Sequence, residues 1–216
     1  MNIGLALGSG SSRGWSHIGI INALAELDII PDIVCGTSIG SLVGAAYATD
    51  NMDALESWAR SLTKLDVARF MEINISLTGF VNTERFHEFL NQYIADDEKL
   101  IEDLPKVLAT VSTDLETGRE IWQSSGSLIQ AVWASMALPG LFPPIRQNNR
   151  WLVDGGLVNP VPVSVCRALG ADIVIAVNLN GDIVGKRFAR IVPGKKQNGG
   201  VSEKITELVK EYTNLS

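Results

Sequence analysis

The run Ile33-Val34-Cys35-Gly36-Thr37-Ser38-Ile39-Gly40-Ser41-Leu42-Val43-Gly44-Ala45-Ala46 decides how the chain is read. A short apolar, β-rich segment leads into Gly-x-Ser-x-Gly. A helical run of small residues follows. This is the pattern of a nucleophile elbow, in which a strand turns sharply into a helix. Gly36 and Gly40 let the backbone turn and let a neighbouring segment approach. Ser38 is then at the tip, its hydroxyl exposed at the positive end of the following helix. A hydroxyl so placed is a candidate acyl-transfer nucleophile. The bland reading of the same residues is a strand-to-helix turn capped by serine.

Around this stretch the chain alternates strand and helix. Continuously apolar, β-rich runs lie at 3–7, 33–35, 107–111 and 173–177. Unbroken apolarity suits strands covered on both faces, as in a parallel sheet. Helices are predicted over 15–27, 41–49, 53–71, 84–94, 126–136 and 162–169. In the first of these, Ile18, Ile21, Leu24 and Leu27 share a stripe. Residues 145–153, around Asn148-Asn149, predict a hairpin. The stretch 72–83 is less regular and reads as an edge strand or a flap over the site. The alternation predicts a three-layer α/β/α fold with a mainly parallel central sheet.

Composition narrows the function. The chain has 216 residues, enough for one domain with a sizeable core, and 46% hydrophobic with 19% charged residues fits a globular protein. A net charge of −6 argues against a nucleic-acid partner. No apolar run is long enough to span a bilayer. Met1-Asn2 leads directly into a strand with no basic segment before it, so no signal peptide is expected. Cys35 and Cys166 read as two lone buried thiols of a reducing compartment, which predicts a cytoplasmic protein. The only histidines are His17 and His87, and no ligand cluster suggests a metal or cofactor. Residues 1–180 form the predicted folded domain. From Gly181 the character changes. Lys186, Arg187, Arg190, Lys195 and Lys196 are basic, Gln197 to Gly200 reads as a linker, and Ile205, Leu208, Val209 and Tyr212 lie on one side of a short helix. The bland reading of 181–216 is a solvated loop with a docked helix. The sharper one is contact with anionic lipid at the inner membrane surface.

An acyl-transfer site also needs oxyanion donors and a base. The loop Gly8-Ser9-Gly10-Ser11-Ser12-Arg13-Gly14, between the first strand and its helix, offers backbone N–H groups to an anion. It is not a P-loop, which needs Gly-Lys-Ser/Thr. It is not a dinucleotide fingerprint, which needs glycine where Arg13 stands. There are three candidates for the base. His17 precedes Ser38, and His87 lies on a charged helical face with Glu84, Arg85 and Glu88. Neither fits the Ser-acid-His order of α/β-hydrolases, because no histidine follows 87. The third is Asp154, which ends an apolar strand before Gly155 and Gly156. Asp-Gly-Gly alone is ordinarily a turn; beside an elbow serine and an amide-rich loop, the base reading is favoured.

Five blocks together resemble the patatin-like phospholipases, in the bacterial branch similar to the catalytic domain of neuropathy target esterase. They are Gly8 to Gly14 with Ser16-His17-Ile18-Gly19, Gly36 to Gly40, Ser112 to Gly118, Ser135 to Pro144, and Asp154-Gly155-Gly156. They run in the family's order across about residues 3 to 180. The resemblance implies a Ser–Asp dyad, with Ser38 as nucleophile and Asp154 as base. It implies an oxyanion hole from Gly10, Ser11, Ser12, Arg13 and Gly14. It also implies a lipid or fatty-acyl ester substrate, such as phospholipid or lysophospholipid, and no cofactor. The alternatives are a small-ester or thioester hydrolase and a catalytically silent module on the same fold. One departure stands out: the family's G-G-G-G-x-R-G carries serines here at 9 and 11. If position 11 needs a left-handed backbone, Ser11 bears a strain cost.

Overall fold

The apolar run at the N-terminus forms strand β1 (Ile3–Leu7), and the run before Ser38 forms β2 (Ile33–Thr37). The others form β3 (Val107–Asp114) and β7 (Ile173–Val177), with β4 (Glu120–Gln123), β5 (Ile145–Gln147) and β6 (Arg150–Asp154) between them. The helices are α1 (Ser16–Glu26), α2 (Ile39–Ala48), α3 (Met52–Ser61), α4 (Thr83–Tyr93), α5 (Leu128–Met136) and α6 (Val163–Ala168). In this computed structural model, residues 1–62 and 83–181 are described. The chain divides into the units Met1–Asn180 and Gly181–Ser216, and the fold here is that of the first. The predicted irregular stretch before Thr83, the end of the helix predicted to 71, and the basic tail, linker and helix after 181 lie outside the described residues.

Strands β7, β1, β2 and β3 run parallel, with β1 between β7 and β2. Strands β4 and β6 both pair antiparallel with β3, and β5 pairs with β6, giving a seven-stranded mixed sheet. Alternate residues of the parallel strands enter two cores. Leu5, Leu7, Val34 and Leu108 face the layer of α1, α2, α4 and α5. Ala6, Ile33, Cys35, Ala109 and Val111 face α6. Two-sided cover explains the unbroken apolarity of β1, β2 and β3; β7 ends the sheet, and of its five residues only Val177 is buried, which corrects the expectation of two-sided cover there. The hairpin of β5 and β6 turns on Asn148 and Asn149, at φ 48° and 61°. That is the type I′ geometry for which asparagine is suited.

Some local expectations are corrected. The helix predicted from 15 is a 3₁₀ turn over Ser11–Trp15 followed by α1, and Leu27 lies past its end, exposed, so the apolar stripe stops at Leu24. Helix α2 starts at Ile39, directly after Ser38. Strand β4 was not anticipated; its four residues are half-buried at most, and Glu120 and Gln123 flank the only apolar pair. The two cysteines are free and buried, yet not isolated. Cys35 on β2 and Cys166 on α6 are hydrogen-bonded to each other, and with burial this pushes the Cys35 thiol up.

Helix α6 approaches β1 closely because Gly4 has no side chain: a Cβ there would lie 2.7 Å from the Ala171 Cβ and 3.0 Å from the Cys166 Cβ. Gly19, in the middle of α1, is exposed, with nothing within 4 Å of its Cβ position. Gly4→Ala is therefore expected to cost about 1–3 kcal/mol through overpacking. Gly19→Ala is expected to add about 0.5–1 kcal/mol by removing glycine from a helix interior. Denaturant unfolding of the two variants checks both signs.

Candidate active site

Ser38 is the hinge between β2 and α2, with φ 57° and ψ −125°. A non-glycine residue in that region carries strain of order ~1–3 kcal/mol, which the surroundings must hold. They do so at both ends of the residue. Its carbonyl accepts from the Ser41 N–H at 2.8 Å and the Ser41 hydroxyl at 2.6 Å. Its N–H donates to the Ser135 Oγ at 2.9 Å, and the fully buried Ser135 hydroxyl donates to the Val111 carbonyl at 2.6 Å. The turn admits only glycine beside it. A Cβ on Gly36 would meet the Gly40 carbonyl at 2.4 Å, and one on Gly40 would meet the Leu7 carbonyl at 2.1 Å.

Strand β6 ends at Asp154, beside this hinge. The register explains why: Thr37, the last residue of β2, lies opposite Val111, and Asp154 lies opposite Ser112. The Ser38 hydroxyl donates to Asp154 Oδ2 at 2.5 Å, and the Gly156 N–H donates to Oδ1 at 2.7 Å. The backbone of Asp154 is held as well, its N–H by the Ala137 carbonyl at 3.0 Å and its carbonyl by the Thr113 hydroxyl at 2.8 Å. Asp154 is only 3% exposed. Burial pushes its carboxyl above the usual carboxylate range, while the hydrogen bonds from Ser38 and Gly156 pull the other way. Gly155 keeps the chain close, since a Cβ there would meet the Val111 carbonyl at 2.1 Å.

The glycine loop lies along the same hinge. A Cβ on Gly14 would fall 2.2 Å from Ile39 Cγ1, and one on Gly156 would fall 3.2 Å from Ser9. Ser11 takes φ 52°, the left-handed backbone that the family's glycine accommodates without strain. The Ser9 N–H is used by the Pro160 carbonyl at 2.8 Å and the Arg13 N–H by the Gly10 carbonyl at 3.2 Å. The N–H groups of Gly10, Ser11 and Ser12 open the 3₁₀ turn and have no hydrogen-bond partner among the described residues. Arg13 is not hydrogen-bonded to Ser38 or Asp154. Its guanidinium donates to Asn180 Oδ1 at 2.7 Å, and the Asn180 amide donates to the Ser9 carbonyl at 2.9 Å and hydroxyl at 3.1 Å.

Neither histidine is hydrogen-bonded to Ser38 or Asp154. His17 Nε2 donates to the Gly8 carbonyl at 2.8 Å; the ring is buried, and burial lowers its pKa, so it is neutral beneath the loop. His87 pairs with Asp97 at 2.6 Å on the surface. Asp114 caps the turn after β3, accepting from the N–H groups of Glu116 and Thr117 at 3.0 and 3.1 Å; these bonds hold its carboxyl below the usual range. The roles of two supporting residues escaped the sequence reading. Asn180 gave no signal. Ser135, which opens one of the five blocks, gave one: it is a serine in the last turn of a mostly apolar helix, where a buried hydroxyl must find a partner. Among the described residues there is no cluster of three or more His, Cys, Asp or Glu placed to hold a metal. No helix among them is long and apolar enough to cross a membrane.

The chain is 37% identical over 185 residues to the uncharacterized NTE family protein Rv1063c of Mycobacterium tuberculosis, covering 85% of this chain and 50% of that one. It is 35% identical over 184 residues to patatin-like phospholipase domain-containing protein 6 of Homo sapiens, covering 82% of this chain and 13% of that one. The chain therefore spans half the length of the mycobacterial relative and a small part of the human one. The crystal structure of VipD from Legionella pneumophila matches with a TM-score of 0.56 at 16% identity, over 73% of this chain and 46% of that chain, which is a likeness of fold. The family model for patatin-like phospholipase matches residues 5–167, a span that holds Ser38, Asp154 and the whole glycine loop. By that match, and by the relatives that share most of its length, the chain belongs to the patatin-like phospholipase family.

Proposed function

We propose that the chain is a serine acyl hydrolase that cleaves carboxylic ester bonds of lipids, phospholipid or lysophospholipid, through a Ser38–Asp154 dyad. The observation that carries the reading is the 2.5 Å hydrogen bond from the Ser38 hydroxyl to a buried Asp154 carboxylate, at the tip of an elbow. Asp154 takes the proton as Ser38 Oγ attacks the ester carbonyl. The developing oxyanion is received by the N–H groups of Gly10, Ser11 and Ser12, which have no hydrogen-bond partner among the described residues. Collapse expels the alcohol, which leaves with the proton from Asp154, and an acyl-Ser38 remains. Water, deprotonated by Asp154, attacks the acyl group and releases the acid. A lipid substrate also implies peripheral contact with a membrane at its cytoplasmic face, and the basic residues Lys186 to Lys196 are the candidate for it.

A carboxylate is a weak base toward a hydroxyl, so its environment matters. Burial raises the proton affinity of Asp154 and brings it nearer to what the transfer needs. Preorganised amides share the load: removing one oxyanion donor costs roughly 3–4 kcal/mol in other hydrolases.

A fluorophosphonate probe is expected to label Ser38 and no other serine, with the adduct located by mass spectrometry of the peptide. An adduct on Ser9 or Ser11 instead would refute the nucleophile assignment. Asp154→Asn is expected to abolish nearly all hydrolysis of p-nitrophenyl and phospholipid esters while the protein stays folded; near wild-type kcat in that variant would make Asp154 structural. His87→Gln is expected to keep kcat within a few-fold. A chain-length series of p-nitrophenyl esters separates the lipid reading, which expects preference for long acyl chains, from a small-ester hydrolase.

The pKa of Asp154 gives a second pair of expectations. Since the base form acts, kcat/KM rises with pH along an acid limb set above the usual carboxylate range. For stability the sign is opposite. A carboxyl whose folded pKa is raised contributes stability below its unfolded pKa and loses it as pH rises through the folded one. At neutral pH the ionised Asp154 is thus a burden on the fold. Asp154→Asn is expected to melt at or above the wild-type temperature at pH 7, with the gap closing as pH falls through the acid limb. A lower Tm for the variant at pH 7 would contradict the desolvation account.

A further inference from the structure

Strand β2 pairs with β3 in parallel register up to Thr37 opposite Val111. In a parallel ladder the rung due next joins the Ser38 N–H to the Val111 carbonyl. That rung is not made. The Ser135 hydroxyl stands in its place, accepting from the Ser38 N–H at 2.9 Å and donating to the Val111 carbonyl at 2.6 Å. We infer that Ser135 is a positioning residue for the nucleophile: its hydroxyl, inserted into the ladder, lets β2 part from β3 at Ser38 with both backbone groups still satisfied.

The chemistry of the insertion is specific. A carbonyl only accepts and an N–H only donates, so a bridging group must do both, and a hydroxyl is the smallest side chain that does. Ser135 is fully buried, in the last turn of α5, and α5 packs against β3 and α2. The hydroxyl therefore has a fixed place relative to the strand and the elbow. Without it there are two ways out. Either the Ser38 N–H and the Val111 carbonyl stay buried and unpaired, or β2 closes onto β3 and completes the rung. The second draws Ser38 along the sheet, away from the φ and ψ that aim its hydroxyl at Asp154. A misplacement of about 1 Å at a reacting group can cost about 10²-fold in turnover.

The inference rests on Ser38 being the nucleophile, and the experiment separates the two. The full chain is compared as wild type, Ser135→Ala, Ser135→Thr and Ser135→Val. The readouts are the rate of fluorophosphonate labelling at Ser38, kcat and KM for a short-chain p-nitrophenyl ester, and the acid limb of the pH profile. Ser135→Ala is expected to lose about 10–100-fold in labelling rate and in kcat, with KM nearly unchanged and the limb in place. Threonine and valine match in volume and differ in the hydroxyl. Ser135→Thr is expected to react at least about tenfold faster than Ser135→Val, whatever the added methyl costs both. Equal rates for that pair, or an undiminished Ser135→Ala, overturn the positioning role while leaving Ser38 as nucleophile. A wild type that carries no adduct on Ser38 overturns both.

Discussion

Everything at the site depends on how strand β3 is shared. Its first five residues carry β2 in parallel and its last three carry β6 antiparallel, so two strands coming from opposite directions end one register position apart. One ends in Thr37, the other in Asp154. The hydroxyl of Ser38 and the carboxylate of Asp154 meet because the ladder leaves them nowhere else to go. Three close contacts make that junction possible, at Gly36, Gly40 and Gly155, where a Cβ would press on backbone atoms at 2.4 Å or less. Backbone packed that tightly against backbone relaxes little, so Ser38 and Asp154 have a rigid frame on the sheet side and the glycine loop facing them is built from turns.

The junction is costly in electrostatic terms. The Asp154 carboxyl is kept at 3% exposure with two hydrogen bonds and no cation in contact with either oxygen among the described residues. Arg13, the nearest arginine in the sequence motif, is committed to Asn180, and Arg150 pairs with Asp114. A guanidinium beside Asp154 would have lowered its proton affinity and weakened it as a base. On the proposed mechanism, the absence of that pairing among the described residues, together with burial, suits the carboxyl to taking a proton. Stability and proton affinity are then set by the same desolvation, with opposite signs.

Much of this was legible in the sequence. The continuous apolar runs of β1, β2 and β3, the elbow and the Asp-Gly-Gly at a strand end are local signals, each dictated by two-sided burial or by backbone approach that only glycine permits; the run of β7 marked a strand as well, though only Val177 of it is buried. The hairpin was legible because Asn148-Asn149 suits two consecutive left-handed residues. What was not legible depends on tertiary partners. Strand β4 is short and polar and exists because β3 offers it a free edge. Ser135 and Asn180 act on residues 97 and 171 positions away; the apolar neighbours of Ser135 tell only that its hydroxyl needs a partner, and nothing near Asn180 foretells its own. Cys35 and Cys166 looked solitary in sequence, and only the packing of α6 across β1 and β2 pairs them.

The glycine loop shows how such distant support compensates a local departure. Where the family's pattern has glycine, Ser11 adopts φ 52° and pays the strain that a Cβ brings there. The loop is held against that strain from three sides. His17 secures the Gly8 carbonyl from below, Pro160 takes the Ser9 N–H, and Asn180 grips Ser9 and Arg13 from beyond β7. Asn180 lies outside the span matched by the family model, which ends at 167. These bonds engage the Gly8 and Ser9 carbonyls, the Ser9 N–H and the Ser9 and Arg13 side chains, while the N–H groups of Gly10, Ser11 and Ser12 have no hydrogen-bond partner among the described residues. A loop tied down at Gly8, Ser9 and Arg13 holds the three amides between them in place. That is the condition for stabilising a developing negative charge without reorganisation at the moment it forms.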